Sequence, residues 1–195
     1  EPLQLLDEQA VLDALHDQHQ RFKLTLFDSI DSTNSYLMQQ AANGAAHGTV
    51  AAALLQTKGR GRRGRSWQSS LGASLTFSLL WRFQMGAAAL SGLSLAVGLA
   101  LVRTLHGYGL RSAQLKWPND IQVRERKLAG ILIESQGDMD GPSAAVIGVG
   151  LNLRLPAAMR AQIDQPVTDM ASDLPISIAP SALLGSLLRQ LAQVL

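Results

Sequence analysis

Cysteine is absent from the 195-residue sequence. Thiolate nucleophiles, disulfide frameworks and cysteine-ligated zinc or iron–sulfur centres are therefore excluded. The absence fits a reducing, cytoplasmic setting. Charged residues are sparse, at 16% against 47% apolar, which excludes a disordered or coiled-coil chain. Long apolar runs are missing too, since none reaches the roughly 18–20 residues of a membrane span. The longest candidate, residues 90–105, is broken by Ser91, Ser94 and Arg103, so no membrane contact is expected. The N-terminal EPLQLLDEQA carries no basic stretch and is not a signal peptide. It also lacks an initiator methionine, so the chain is expected to be part of, or processed from, a longer protein. A chain of this length buries roughly 70% of its unfolded surface and folds as about one domain without a metal or disulfide staple.

The formal net charge is +2, but its distribution is uneven. Five of the 17 basic residues (Lys58, Arg60, Arg62, Arg63 and Arg65) fall in one octapeptide; elsewhere 12 basic residues face 15 acidic ones. The protein reads as a mildly acidic globule with one intensely basic loop. Nucleic-acid binders usually spread basic residues over a face or along a helix. No nucleic-acid binding by this chain is expected, and the single loop points to a small, localised anion.

Periodicity gives a mixed α/β pattern. Residues 7–17 read as a short helix that Asp7 can cap. Phe22, Leu24 and Leu26 alternate with Lys23 and Thr25 as in a strand. Ser32 or Thr33 can cap a helix that runs to about Asn43 and stops at Gly44. Strands are expected at 49–56 and 73–83, and a long helix at 88–106. Short strands at 115–117 and 121–123 flank a Pro-Asn-Asp turn, and 124–127 reads as a charged turn. Strands at 128–134 and 144–152 follow, separated by a polar turn at 137–143. Residues 155–175 look irregular, and 180–195 form a helix with five leucines on one face. The later strands come in hairpin-like pairs. That favours an α+β fold with a mixed sheet flanked by helices over a regular doubly wound one.

The motif GRGRRG at 59–64 matches the dinucleotide fingerprint G-x-G-x-x-G literally, but a strand follows it where the fingerprint needs a helix N-terminus. Its glycines still free the backbone for close approach, and its arginines offer planar forks that match phosphate and carboxylate. Five clustered cations repel one another, so the loop is expected to be mobile when empty and to order when an anion binds. Three further segments stand out: KWPND at 116–120, RKLAGILIE at 126–134 and GVGLN at 148–152. Each alone is weak. An edge lysine and a strand glycine are ordinary features.

In this order, however, Ser32-Thr33-Asn34, Gln56, GRGRRGR with Trp67, KWPND, RKLAGILIE and GVGLN resemble the bacterial biotin protein ligases over residues 27–153. The resemblance implies that family's catalytic-domain fold, with biotin and ATP as substrates and Mg2+ as cofactor. Biotin is joined to ATP as biotinyl-5′-adenylate, then passed to a lysine of the biotin carboxyl carrier protein of acetyl-CoA carboxylase. The alternative is a lipoate or octanoate ligase or transferase of related fold. The resemblance places Ser32, Thr33, Asn34 and Gln56 on biotin's polar edge. Gly61, Gly130, Gly148 and Gly150 are implied to lie against the bound biotin. Arg60, Arg62 and Lys127 are implied to act on both biotin and the reacting phosphate. Trp67, Arg65 and Asn152 serve the nucleotide, and Asp120 would hold magnesium and assist catalysis. Residues 1–20 look like the helical lead-in that follows the DNA-binding domain of repressor-type ligases. The family's small C-terminal β-barrel domain would begin where this sequence stops. The chain is thus expected to be one catalytic domain. The resemblance leaves open a homodimer, and a repressor role for the intact protein.

Overall fold

The computed structural model describes residues 3–137 and 141–195. Its seven strands are β1 (Lys23–Ile30), β2 (Thr49–Gln56), β3 (Ser74–Phe83), β4 (Ala113–Lys116), β5 (Asp120–Val123), β6 (Arg126–Gly137) and β7 (Ser143–Asn152). They form one sheet in the order β1-β2-β3-β7-β6-β5-β4. Only β1 and β2 run parallel; the other neighbours are antiparallel. The expected mixed α+β sheet is what forms.

The strand alternation of β3 explains how the two faces divide. Leu75, Phe77, Leu79 and Trp81 point to one side and are buried with α1 (Glu8–Leu15), α3 (Leu93–Gly107) and α6 (Pro180–Val194). In α6, Leu183, Leu184, Leu187, Leu188 and Leu191 are fully buried, each contributing about 1.5–3 kcal/mol by leaving water. The opposite face is covered only in part. There α2 (Thr33–Ala42) packs Leu37 and Ala41 onto Ala51, Leu80, Ala144 and Val146. Beyond α2 the same face carries the fully buried Thr76 and Ser78 and, beside them, Gly148 and Gly150, which line a cavity.

Capping follows the sequence. Asp7 accepts the amide N–H of Ala10, and Ser32 accepts that of Ser35. Four expectations need correction. The helix expected at 88–106 is split: Ala87–Gly92 is a 3-10 segment, and α3 begins only at Leu93, because Ser91-Gly92 is a weak helix former. Residues 90–107 have a mean hydropathy of 1.3, so by length and composition they could cross a membrane, contrary to the reading above; here α3 buries Val97, Leu101 and Leu105 in the core under the sheet. The charged turn at 124–127 is shorter than expected. Arg124 and Glu125 make it with φ of 48° and 62°, while Arg126 and Lys127 already belong to β6. Lys127 is drawn into extended pairing by hydrogen bonds to Pro166 O and from Thr168 N. Residues 155–175 are not irregular: they hold α4 (Ala157–Gln162) and α5 (Met170–Asp173). Buried Asp169 organises them, accepting from Leu155 N and Ser172 N and pairing with Arg160. Of the expected polar turn at 137–143, residues 138–140 lie outside the described residues.

His47 supplies a pH dependence. Its Nδ1 accepts the Arg82 N–H at 3.2 Å, and its ring lies 4.1 Å from that of Trp81. Burial, then the charges of Arg21 and Arg82, hold its pKa below the usual 6.5. The unfolded chain therefore binds this proton first as pH falls, and the stability that neutral His47 confers is lost below about pH 6.5. The melting temperature is expected to fall less between about pH 7.5 and 5.5 in a His47→Gln variant than in the parent. Parallel slopes for the two proteins would remove His47 from this role.

Candidate active site

The parallel register of β1 and β2 sets Ile30 beside Gln56, so the turn after β1 brings Ser32, Thr33 and Asn34 against the end of β2. All three are buried, with Gln56 at 9% exposure. Thr33 donates to Gln56 Oε1 from both its amide N–H (2.8 Å) and its hydroxyl (3.1 Å). This fixes the Gln56 side chain with its Nε2 as the end left to donate. Ser78 of β3 lies 2.7 Å from Thr33 Oγ1 and 2.6 Å from Asn34 Oδ1. Sequence reading passed over Ser78. Its alternation with the core-facing residues was the only signal.

Two glycines admit close neighbours. A Cβ on Gly148 would stand 2.1 Å from Asn34 Oδ1, and one on Gly150 would stand 2.4 Å from the Trp67 ring. The close approaches expected there for a ligand are thus made by the protein's own side chains. The Trp67 ring also rests near Gly130 and under Lys127, whose Nζ is 5.9 Å from the ring centre. Trp67 Nε1 is buried and makes no hydrogen bond.

Lys127 Nζ lies 2.9 Å from Asp120 Oδ1, in charge contact but off the directional geometry of a hydrogen bond. Each side chain is about one-fifth exposed. Register places these groups in two rows across the sheet. One row runs Thr76, Gly150, Gly130, Asp120; the other runs Ser78, Gly148, Leu132. The rows are two residues apart, or about 7 Å.

The basic loop closes over the site as an ordered turn. Trp67 N donates to Gly59 O, Gly61 N donates to Arg65 O, and Arg60 bridges Ser66. Arg62–Gly64 forms a short 3-10 turn with Arg63 at φ 56°. Arg60 pairs with Glu134, and Arg62 donates to Asn119 Oδ1 at 3.1 Å. Glu134 offsets the charge of Arg60, while the neutral Asn119 amide leaves that of Arg62 uncompensated.

All the residues given a biotin, nucleotide, metal or catalytic role by the family resemblance line one cavity of about 420 Å3, the size of a small-molecule site. Asn152 reaches it with its amide already donated to Thr168 O. Trp117, 77% exposed, and Lys116 border it. Ile163, Gln165 and Val167, from the segment expected to be irregular, also contribute. Asp120 is the only carboxylate among the described lining residues.

The mixed sheet and the cavity at its face define a small-molecule-binding α+β domain. The profile of the biotin/lipoate A/B protein ligase family matches residues 26–152, and the chain belongs to that family. It is 41% identical over 155 residues to the bifunctional ligase/repressor BirA of Salmonella typhimurium, covering 80% of this chain and 47% of that protein. Identity to BirA of Escherichia coli is 35% over 195 residues, covering all of this chain and 59% of the relative. The chain thus spans about half the length of these relatives. Among solved structures it is similar to the biotin protein ligase from Aquifex aeolicus in complex with biotin and ATP. That likeness has a TM-score of 0.72 and 28% identity, and covers 88% of this chain and 69% of the other.

Proposed function

We propose that this chain is the catalytic domain of a biotin protein ligase, which activates biotin with ATP and transfers it to a lysine of a biotin carboxyl carrier protein. The observation that carries this reading is the pair of rows: an uncharged hydrogen-bonding cluster about 7 Å along the sheet from the row that ends in Asp120, where Lys127 Nζ lies 2.9 Å from the Asp120 carboxylate. A ligand with a polar, neutral head and an anionic tail suits that spacing. Thr33 turns Gln56 so that its Nε2 can donate to a carbonyl on the head. Lys127, with Arg62 and Arg65, stands where a carboxylate and a polyphosphate would meet.

In the first step the biotin carboxylate oxygen attacks the α-phosphorus. The new O–P bond forms as the bond to the β-phosphate oxygen breaks, and pyrophosphate leaves. Two anions approach, and the cations offset their repulsion and the charge that builds on phosphate oxygens. In the second step the neutral amine of the carrier lysine attacks the acyl carbon, an amide forms, AMP leaves, and the amine proton passes to a base. Asp120 is the carboxylate at hand for that proton. Among the described residues no three metal-ligating side chains cluster. A magnesium ion here would be held by Asp120 together with phosphate oxygens, as its preference for few carboxylates allows. It would add positive charge at the phosphates.

The Aquifex aeolicus structure named above is a biotin protein ligase in complex with biotin and ATP, which favours biotin over lipoate. The test is ATP–pyrophosphate exchange. Exchange is expected with biotin and not with lipoate or octanoate; exchange driven by lipoate alone would overturn the reading.

A further inference from the structure

We infer that Glu134 is a positioning residue that anchors the basic loop through Arg60 and so removes Arg60 from the cations available to the bound anions. The inference deepens the proposed function and rests on it for its meaning in catalysis. A glutamate near the end of a strand is ordinarily a solvated charge. Glu134 is different. Its side chain is 23% exposed, and its two oxygens accept three hydrogen bonds. Arg60 supplies two of them as a fork, at 2.7 and 3.2 Å. Asn34 Nδ2 supplies the third at 3.0 Å. Arg60 also donates to Ser35 Oγ at 3.3 Å.

These bonds join three separate parts of the fold. Asn34 belongs to the first turn of α2, its Oδ1 lies 2.6 Å from Ser78 Oγ on β3, and its amide rests over Gly148 of β7. Glu134 belongs to β6, and Arg60 starts the loop. The carboxylate therefore ties the loop's base to the same cluster that turns Gln56 toward the cavity. Bidentate pairing also neutralises Arg60, because planar guanidinium and carboxylate match in both charge and shape. A carboxylate or phosphate of the substrate would have to displace this fork before Arg60 could serve it. The Arg62 guanidinium has only a neutral amide as partner, and the side chains of Arg63 and Arg65 make no hydrogen bond or ion pair with described residues. Anion binding then falls to these three and to Lys127, whose contact with Asp120 is a single one and not a fork, and Arg60 sets where the loop cations are held. This departs from the role that the family resemblance implies for Arg60.

The test compares ligand-free parent, Glu134→Gln, Arg60→Gln and the double variant by hydrogen exchange of the 61–67 amides. Glutamine keeps the shape of Glu134 but loses the charged fork. Each single variant is expected to raise loop exchange roughly 3- to 10-fold, a partly exposed pair being of modest strength. Exchange in β3 and β7 should stay at the parent rate. The double variant should exchange no faster than either single one, because both break the same contact. Arg60→Gln cuts the pair from its exposed side, so it keeps the test alive if Glu134→Gln fails to fold. In activity, Glu134→Gln should raise the KM for biotin more than it lowers kcat. Loop exchange within about 1.5-fold of the parent in the single variants, or single effects that multiply in the double variant, would overturn the inference. The exchange measurement needs no substrate. It can fail while biotin-dependent pyrophosphate exchange succeeds, and the reverse.

Discussion

Replacing Lys127 by alanine is expected to slow formation of the acyl-adenylate by roughly 10²–10³-fold, the cost of about 2.7–4 kcal/mol seen when one donor aimed at developing charge is removed. The structure gives the reason. Lys127 stands at the mouth of β6 with both backbone polar groups tied to residues 166–168, so the stem is fixed. Its ammonium faces the cavity, 2.9 Å from Asp120 and 5.9 Å from the centre of the Trp67 ring. From there it can bridge the incoming carboxylate and the α-phosphate, the two anions that must meet. Folding should change far less. Lys127 and Asp120 are about one-fifth exposed, and truncating one member of a partly solvated pair costs about 1 kcal/mol or less. Single-turnover adenylate formation at saturating biotin and ATP, read beside a melting curve, separates the two effects. A rate within about threefold of the parent would demote Lys127 to a strand-edge charge.

An Arg62→Gly variant should bind its acyl-adenylate more weakly by about 1.5–3 kcal/mol, the worth of a hydrogen bond to a charged group. That is roughly 10- to 150-fold faster escape of the activated intermediate. Arg62 is exposed, and its side chain makes one hydrogen bond to described residues, to Asn119. Asn119 stays fixed without it, since it also exchanges bonds with Ile131 through its backbone carbonyl and its side-chain amide. The wall of the cavity therefore survives, and the stability change should stay within about 0.5 kcal/mol. The release rate of preformed adenylate is the direct measurement. Labelling of lysines on bystander proteins would follow, because a mixed anhydride that leaves the site acylates any neutral amine it meets. A variant that retains the adenylate as long as the parent would show that the loop holds it by other arginines.

The two predictions draw on different kinds of legibility. Arg62 was visible as a charge that nothing nearby in sequence could balance. The importance of Lys127 came from its place before an apolar strand and from the family resemblance; its pairing with Asp120 came from the fold. Glu134 stood in the 126–134 segment and Ser78 in the alternation of β3, but the roles of both were hidden. A glutamate or serine in a strand carries no local mark of its partners, and Glu134 lies 74 residues from Arg60 and 100 from Asn34. The helices α4 and α5 were missed because what holds them is Asp169, a tertiary hub and not a periodic pattern.

By itself the sequence determined whatever depends on near neighbours. Alternation in β3 and the leucine face of α6 set which side of each element is buried, and Asp7 and Ser32 set where two helices begin. The motif order was enough to gather the cavity's residues under one family before any fold was known. The tertiary structure decided which charges are already spent. Whether Arg60 is an anion clamp or an anchor, and whether the space over Gly148 and Gly150 is open or filled by Asn34 and Trp67, turns on distances between strands. Electrostatic and packing energies depend on separation in space, and the chain fixes that only when the sheet closes.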